Sequence, residues 1–104
     1  MQRLAVIAKL KPDSEERAAK LIEEGPPFDP SEIGFQKHFV FLASDQVVFV
    51  FEGGNLNELV AKALKDPSST GALRSWEQII EGMPHVAREM YSWQDGAHLT
   101  ASWD

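Results

Sequence analysis

The sequence predicts an α+β fold, with four strands in one antiparallel sheet and two helical regions on one of its faces. Two apolar runs rich in β-branched and aromatic residues flank the short polar segment 44–46, a pattern typical of a β-hairpin. Alternating segments near both ends of the chain, at 4–11 and 85–94, indicate two further strands. Helical patterns separate the hairpin from each outer strand, so the predicted element order is β-α-β-β-α-β.

The composition is that of an ordinary globular domain, with 43% hydrophobic and 25% charged residues. A chain of 104 residues predicts one domain, residues 1–94, followed by a C-terminal tail, residues 95–104. The formal charge of −6 disfavours binding to nucleic acids and to anionic membranes. No apolar run reaches the length of a membrane span or a secretory signal, and cysteine is absent. We therefore expect a cytoplasmic protein that binds neither nucleic acid nor membrane and needs no cofactor.

The first strand and the first helix follow each other directly. Residues 4–11 alternate two mostly apolar rows, and Pro12 ends the strand. Asp13 and Glu16 have the spacing of a capping box, which predicts the start of a helix. That helix is amphipathic and ends before Gly25, which two prolines follow. It is therefore expected to pack on one face of the sheet.

A proline-rich loop, residues 25–34, leads into the hairpin, whose register can be argued from its side chains. A two-residue loop would pair His38 with Phe51. A three-residue loop over 44–46 pairs aromatic residues with each other and places His38 opposite Glu52. We prefer this second register, because each such pair stabilises by roughly 0.2–1 kcal/mol. It divides the hairpin into a helix-facing row (Phe39, Phe41, Phe49 and Phe51) and an opposite row (Val40, Leu42, Val48 and Val50).

The second helical region and the last strand complete the chain. Apolar residues at helical spacing predict a helix over 55–64 that begins with a capping box. Asp66 and the proline after it break this helix, and a further helix carries Trp76 on its core-facing stripe. Gly82 is expected to end that helix. Residues 85–94 alternate again and form the fourth strand.

This element order is the split βαβ arrangement of ferredoxin-like folds. Right-handed crossovers place both helical regions on one face of the sheet, which leaves the other face bare. Such an apolar patch is larger than a monomer usually exposes. A homodimer whose bare faces pack together covers it and encloses a barrel lumen with a pocket in each protomer. The residues expected on the bare face are Ile7, Val40, Leu42, Val48, Val50, Ala87, Tyr91 and Trp93.

Four segments resemble the dimeric α+β barrel superfamily: LAVIAKLKP before a short helix, the hairpin HFVFLASDQVVFVFEGG, LNELVAKALKDP, and VAREMYSW. This superfamily includes stress-responsive A/B barrel proteins, antibiotic-biosynthesis-type monooxygenases, polyketide cyclase-like proteins and haem-degrading enzymes. The stress-responsive group often carries His-Pro-x-His where this chain has Asp66-Pro67-Ser68-Ser69. Haem-degrading members need an Asn where this chain has Ile7. The resemblance implies the fold and a homodimer, and fold alone does not carry an activity.

His38 is the main candidate for chemistry. In the preferred register Glu52 would orient it on the lumen side, as a general acid or base requires. The alternatives are a ligand contact and a structural cross-strand pair at the mouth of the barrel. Further ligand-binding candidates on the lumen side are Lys9, Glu89, Glu52, Tyr91 and Trp93, although a Lys–Glu bridge at the rim is the simpler interpretation of the first two. The histidines lack the spacing of metal ligands, so no metal site is expected.

Three functions remain open at this stage. The first is a homodimer that binds a small hydrophobic or aromatic metabolite in its lumen. The second, which the resemblance implies, is a cofactor-independent monooxygenase or polyketide cyclase-type enzyme with His38 as general acid or base. The third is a structural or interaction module whose barrel is filled and holds no ligand.

Overall fold

The computed structural model describes residues 2–26, 29–65, 70–93 and 95, including all of their side chains except those of 62–65 and 70–73. The described residues form β1 (Gln2–Leu10), α1 (Glu15–Glu23), α2 (Pro30–Ile33), β2 (Lys37–Leu42), β3 (Gln46–Gly53), α3 (Leu56–Lys65), α4 (Thr70–Glu77) and β4 (Ile80–Arg88). The strands form one antiparallel sheet in the spatial order β2-β3-β1-β4. The predicted ferredoxin-like α+β fold is thereby confirmed. No helix among the described residues combines the length and the apolar character that crossing a membrane requires.

The register of the hairpin differs from the prediction. β2 pairs His38 with Phe51 and Phe41 with Val48, which is the register of a two-residue loop over 44–45. The preferred three-residue loop is therefore wrong, and His38 does not face a carboxylate across the strands. That preference weighed local pairs of up to roughly 1 kcal/mol each. The register also decides which whole row of side chains is buried. The free energy gained by burying a whole row is larger than that of the local pairs, so burial determines the register.

The helix-facing side of the sheet carries the first core cluster. Phe49 points its ring against the indole of Trp76, with ring centroids 5.2 Å apart. Val40 and Leu42, predicted on the opposite side of the sheet, pack against this cluster. Burial against α1 and α4 accounts for their orientation, since each removes apolar surface from water. The buried members of the cluster are Ala8, Leu10, Ala18, Val47, Trp76 and Ile79.

A second core cluster lies beneath α2, a short helix within the segment predicted to be a loop. The Asp29 carboxylate caps α2 by accepting hydrogen bonds from the backbone N–H groups of Ser31 at 2.9 Å and Glu32 at 3.4 Å. Gly34 ends α2 with a φ of 112°, in the left-handed region that favours glycine. The chain then enters β2 at Lys37, directly before His38. The buried members of this cluster are Ile33, Phe35, Phe51 and Leu56.

The opposite side of the sheet, which we call the open face, carries no helix among the described residues. Phe39 and Phe41 lie there, 43% and 59% exposed, although the preferred register predicts them on the helix-facing side. The prediction of an uncovered apolar face is confirmed for β1, β3 and Ala87, whereas β2 contributes Phe39 and Phe41 to it in place of Val40 and Leu42. Strand alternation assigns Ala5, Ile7, Phe39, Phe41, Val48, Val50 and Ala87 to this face.

Helix starts are the least accurate part of the prediction. The capping box at Asp13 does not form, because this residue has a φ of 61° and Ser14 is the N-cap of α1. The end of α1 at Gly25 is as predicted. α3 begins where expected, and Leu56 N–H donates to the side-chain oxygen of Gln2 at 3.1 Å. This bond satisfies a donor that a helix start otherwise leaves without a partner.

β4 begins five residues earlier than predicted. Gly82 lies inside it with a φ of 76°, next to the shift in register against β1, and does not end a helix. β4 ends at Arg88, so Tyr91 and Trp93 follow the strand and are not part of the sheet. Two predicted features lie outside the described residues: the helix break at Asp66 and the tail from residue 96 onward.

Candidate functional site

A cavity of about 360 Å³ lies between the helix-facing side of the sheet and the helices. All four strands line it on one side, and α1, α3 and α4 line it on the other. Its volume lies in the range of roughly 300–1,000 Å³ that small-molecule sites occupy. Prominent lining residues are Val6, Val40 and Phe49 from the sheet and Leu21, Ile22 and Trp76 from the helices.

The cavity lies where the two core clusters meet. Ala8 and Trp76 of the first cluster line it, and so do Phe35 and Phe51 of the second. α1 is only nine residues long and ends before Gly25, so it covers only part of the sheet. The next helix of comparable length, α3, packs with the second cluster. The gap between these two helices leaves room above the strands.

His38 is the one ionisable side chain among the described residues that line the cavity. Its Nδ1 lies 3.0 Å from the carbonyl oxygen of Val50. A carbonyl oxygen can only accept a hydrogen bond, so Nδ1 carries the proton, and in the neutral ring Nε2 holds the lone pair. The imidazole also stacks on Phe51, with ring centroids 4.5 Å apart and an angle of 16° between the planes. These two contacts define the tautomer and the plane of the ring.

Burial lowers the pKa of His38 below its ordinary value, and the hydrogen bond to Val50 opposes this shift only in part. The imidazole is therefore neutral at pH 7. A neutral ring protonated at Nδ1 can accept a proton or a hydrogen bond at Nε2. Glu52, the carboxylate that the sequence analysis expected to orient this ring, does not face it across the strands.

The charged candidates lie away from the cavity. Glu52 is 5% exposed, and its carboxylate lies 3.2 Å from the guanidinium of Arg3. The same guanidinium donates to Glu89 at 2.8 Å. Lys9 lies near the other end of β1, 3.9 Å from Glu81, so the predicted bridge to Glu89 does not form. These contacts join neighbouring strands near the two ends of β1.

Tyr91 and Trp93 lie beyond the end of β4, 58% and 66% exposed, and neither lines the cavity. The sequence analysis assigned Trp76 to the core, where it is buried, but it also forms a wall of the cavity. The sequence analysis did not name Val86 as a site residue, although it lines the cavity and is 66% exposed. The available signal was its position on the same side of the sheet as the apolar row of β1 that includes Val6.

The sequence matches no protein-family model and no curated protein. Several solved structures share the fold. Tetracenomycin F2 cyclase from Streptomyces glaucescens, a type-II polyketide cyclase, is 19% identical with a TM-score of 0.69, over 90% of this chain and 98% of that one. An antibiotic biosynthesis monooxygenase is 13% identical with a TM-score of 0.67, over 84% and 94% of the two chains.

A NIPSNAP family protein of unknown function from Agrobacterium tumefaciens is 18% identical with a TM-score of 0.62, over 86% of this chain and 87% of that one. The chain therefore has the fold of antibiotic biosynthesis monooxygenase-like and polyketide cyclase proteins. At these identities the likeness shows the fold alone, since one fold serves many functions.

Proposed function

We propose that this protein binds a small, largely apolar aromatic molecule in the cavity between the sheet and the helices. The observation that supports the proposal is the cavity itself, about 360 Å³ of apolar space with His38 as its ionisable group. Apolar walls favour such a ligand by roughly 25 cal/mol for each Å² of apolar surface removed from water. A single oriented polar group then selects how the ligand lies.

The walls favour an aromatic ligand over an aliphatic one. Phe35, Phe49, Phe51 and Trp76 all line the cavity. Aromatic rings attract each other in stacked and edge-to-face arrangements, which add roughly 0.5–1.5 kcal/mol beyond the area that they bury. A planar ring of one or two fused cycles is therefore the preferred occupant.

Calorimetric titration with umbelliferone methyl ether, a neutral bicyclic aromatic molecule, tests the proposal. Val86→Trp places a large ring at an exposed position of the lining, and we expect it to weaken binding at least about tenfold. Met83→Trp is the matched control, because Met83 is 82% exposed on the same strand and does not line the cavity. Binding that is absent in the unmodified protein, or equal in the two variants, would overturn the proposal.

We also propose that the protein is a homodimer joined through the open face. The supporting observation is the exposure of Phe39 and Phe41 beside aliphatic residues of β1 and β3. Removing exposed apolar surface of this kind from water is favourable when a partner covers it. A two-fold axis brings the same patch of two protomers together, so that each patch covers the other. In this dimer the cavities lie on the outer sides of the paired sheets, whereas the sequence analysis placed the pocket in the lumen between them.

A second candidate function is proton transfer to His38 in a cofactor-independent monooxygenase or polyketide cyclase-type reaction. The observation that favours it is the Nδ1–H bond to Val50, which directs the basic lone pair to Nε2. Nε2 would take a proton from an acidic hydroxyl of the bound molecule and leave the corresponding oxyanion. The name of one structure that shares the fold, a type-II polyketide cyclase, suggests aromatic polyketides as trial substrates, and quinols are a second class that carries an acidic hydroxyl.

Turnover of quinols and aromatic polyketides in the unmodified protein and in His38→Gln tests this second function. Removal of a general base is expected to slow turnover by roughly 10²–10⁴-fold. The rate should rise with pH through the lowered pKa of His38, because only the neutral ring accepts a proton. Turnover that is unchanged in His38→Gln would remove the proposed role.

A further inference from the structure

On the outer side of His38 lies a groove whose chemistry differs from that of the cavity. The groove has a volume of about 540 Å³ and is formed by Pro26, residues 29–31 and residues 35–38. Pro26, Phe35 and His38 line both the cavity and the groove. The two spaces therefore adjoin at these three side chains.

The groove contains both hydrogen-bond donors and hydrogen-bond acceptors. Lys37 and Gln36 bring donors, Ser31 brings a hydroxyl group, and Asp29 brings a carboxylate, all on exposed side chains. The Asp29 carboxylate is already oriented, because its Oδ1 accepts two backbone hydrogen bonds at the start of α2. Each carboxylate oxygen has more than one lone pair, so this group can still accept from a ligand.

This mixture does not select an ion. The positive charge of Lys37 and the negative charge of Asp29 oppose each other, so the groove lacks the field of one sign that attracts a charged group. The formal charge of −6 on the chain further disfavours an anion. Hydroxyl groups suit these surroundings, because each of them both donates and accepts. Pro26, Pro30 and Phe35 supply apolar surface between the polar groups.

We propose that the ligand is an aromatic molecule that carries a neutral, hydroxyl-rich substituent, such as a sugar joined to the ring through oxygen. The aromatic ring occupies the cavity, and the substituent lies in the groove against Gln36 and Lys37. This inference rests on the proposed binding function and names the chemical class of its ligand. His38 lies at the junction of the two parts and contacts the region of the linkage.

Two ligands that differ at one position separate the groove from the cavity. Umbelliferone methyl ether and umbelliferyl β-glucoside share the same ring and the same ether oxygen, and only the second carries a sugar. Calorimetric titration should give about fivefold to tenfold tighter binding of the glucoside, as expected from one or two net hydrogen bonds. The double variant Gln36→Ala, Lys37→Met should lose this gain and bind the methyl ether as before. Lys20→Met, an exposed change on α1 away from both spaces, is the control and should keep the gain.

The outcomes distinguish the inference from the function on which it rests. If the methyl ether binds and Val86→Trp blocks it, but the glucoside binds equally or more weakly, the inference is overturned and the proposed function stands. A gain that survives in the double variant also overturns the inference, since the sugar would then lie elsewhere. If neither ligand binds, the proposed function fails, and the inference fails with it.

Discussion

At the scale of single residues, the chemistry of the cavity depends on how His38 is held. Its Nδ1–H donates to Val50 and its ring stacks on Phe51, both on β3. Neither partner is adjacent to His38 in sequence, and both follow from the register of the hairpin. The same surroundings remove water from the ring, which is why the pKa of His38 is lowered.

The lowered pKa of His38 predicts how stability depends on pH. Its pKa in the folded protein lies below that in the unfolded chain, so the unfolded chain takes up the proton first as the pH falls. The contribution of neutral His38 to the free energy of unfolding is therefore fully present above a pH of about 6.5, the ordinary pKa of histidine. This contribution is lost as the pH falls towards the folded-state pKa. Urea unfolding of the unmodified protein and of His38→Gln over this range measures the effect. The unmodified protein should lose more stability on acidification than His38→Gln does. A difference in the free energy of unfolding that stays constant with pH would contradict the lowered pKa of His38.

At the scale of elements, α2 determines how the chain enters the sheet beside the cavity. Asp29 begins this one-turn helix and Gly34 ends it, and Phe35 then packs against Phe51 with ring centroids 4.7 Å apart. The same stretch lines the groove on the outer side of His38. A local signal for α2 was present, because Asp followed by Pro is a common helix start. A helix of four residues, however, has too few positions to show a periodic pattern.

Gly34→Ala tests the role of this helix end. A β-carbon at Gly34 would lie 3.2 Å from a methyl group of Leu59, and the backbone there has a φ of 112°. We expect the free energy of unfolding to fall by about 1–3 kcal/mol, because a side chain rarely adopts this conformation. Gly54→Ala is the control, because its β-carbon would have no atom within 4 Å. Equal effects in urea denaturation would show that neither the left-handed backbone nor the contact with Leu59 matters.

At the scale of the whole molecule, the sheet has two different sides. One side packs on the helices and encloses the cavity, while the open face carries Phe39 and Phe41 in contact with solvent. Near one end of the strands, Arg3 pairs with the buried carboxylate of Glu52 and with Glu89 beyond the end of β4. A partner that covers the apolar part of the open face would leave such charged groups at the rim, where ion pairs usually lie in interfaces.

Phe41→Glu tests whether the open face joins two copies of the chain. A carboxylate in the middle of an apolar interface must lose its hydration, so we expect the dimer to dissociate. Sedimentation velocity at micromolar concentration should show a dimer for the unmodified protein and a monomer for the variant. Val86→Glu introduces the same charge on the helix-facing side of the sheet and should remain dimeric. A monomeric unmodified protein, or a dimeric Phe41→Glu variant, would contradict the proposal.

Features that depend on local periodicity were predicted well from the sequence. The order of the main elements, the position of α3 and the presence of an uncovered apolar face all follow from spacing within short segments. His38 was identified for a similar reason, because it is a titratable side chain directly before the first apolar run of the hairpin. Boundaries were less certain: β4 starts at Ile80 because tertiary pairing with β1 extends it through Gly82 and Pro84, two residues that normally interrupt regular structure.

The sequence by itself determined that this chain folds as an α+β sheet with apolar residues on both sides, because alternation and helical spacing are properties of neighbouring residues. Only the tertiary structure decided which side each residue occupies. A change of one residue in the hairpin loop exchanges all facing pairs, and it moved Val40 towards the helices and Phe41 to the open face. It also separated His38 from Glu52 and brought His38 to the cavity beside the helices. Packing of whole rows of side chains made that choice, and no short segment contains this information.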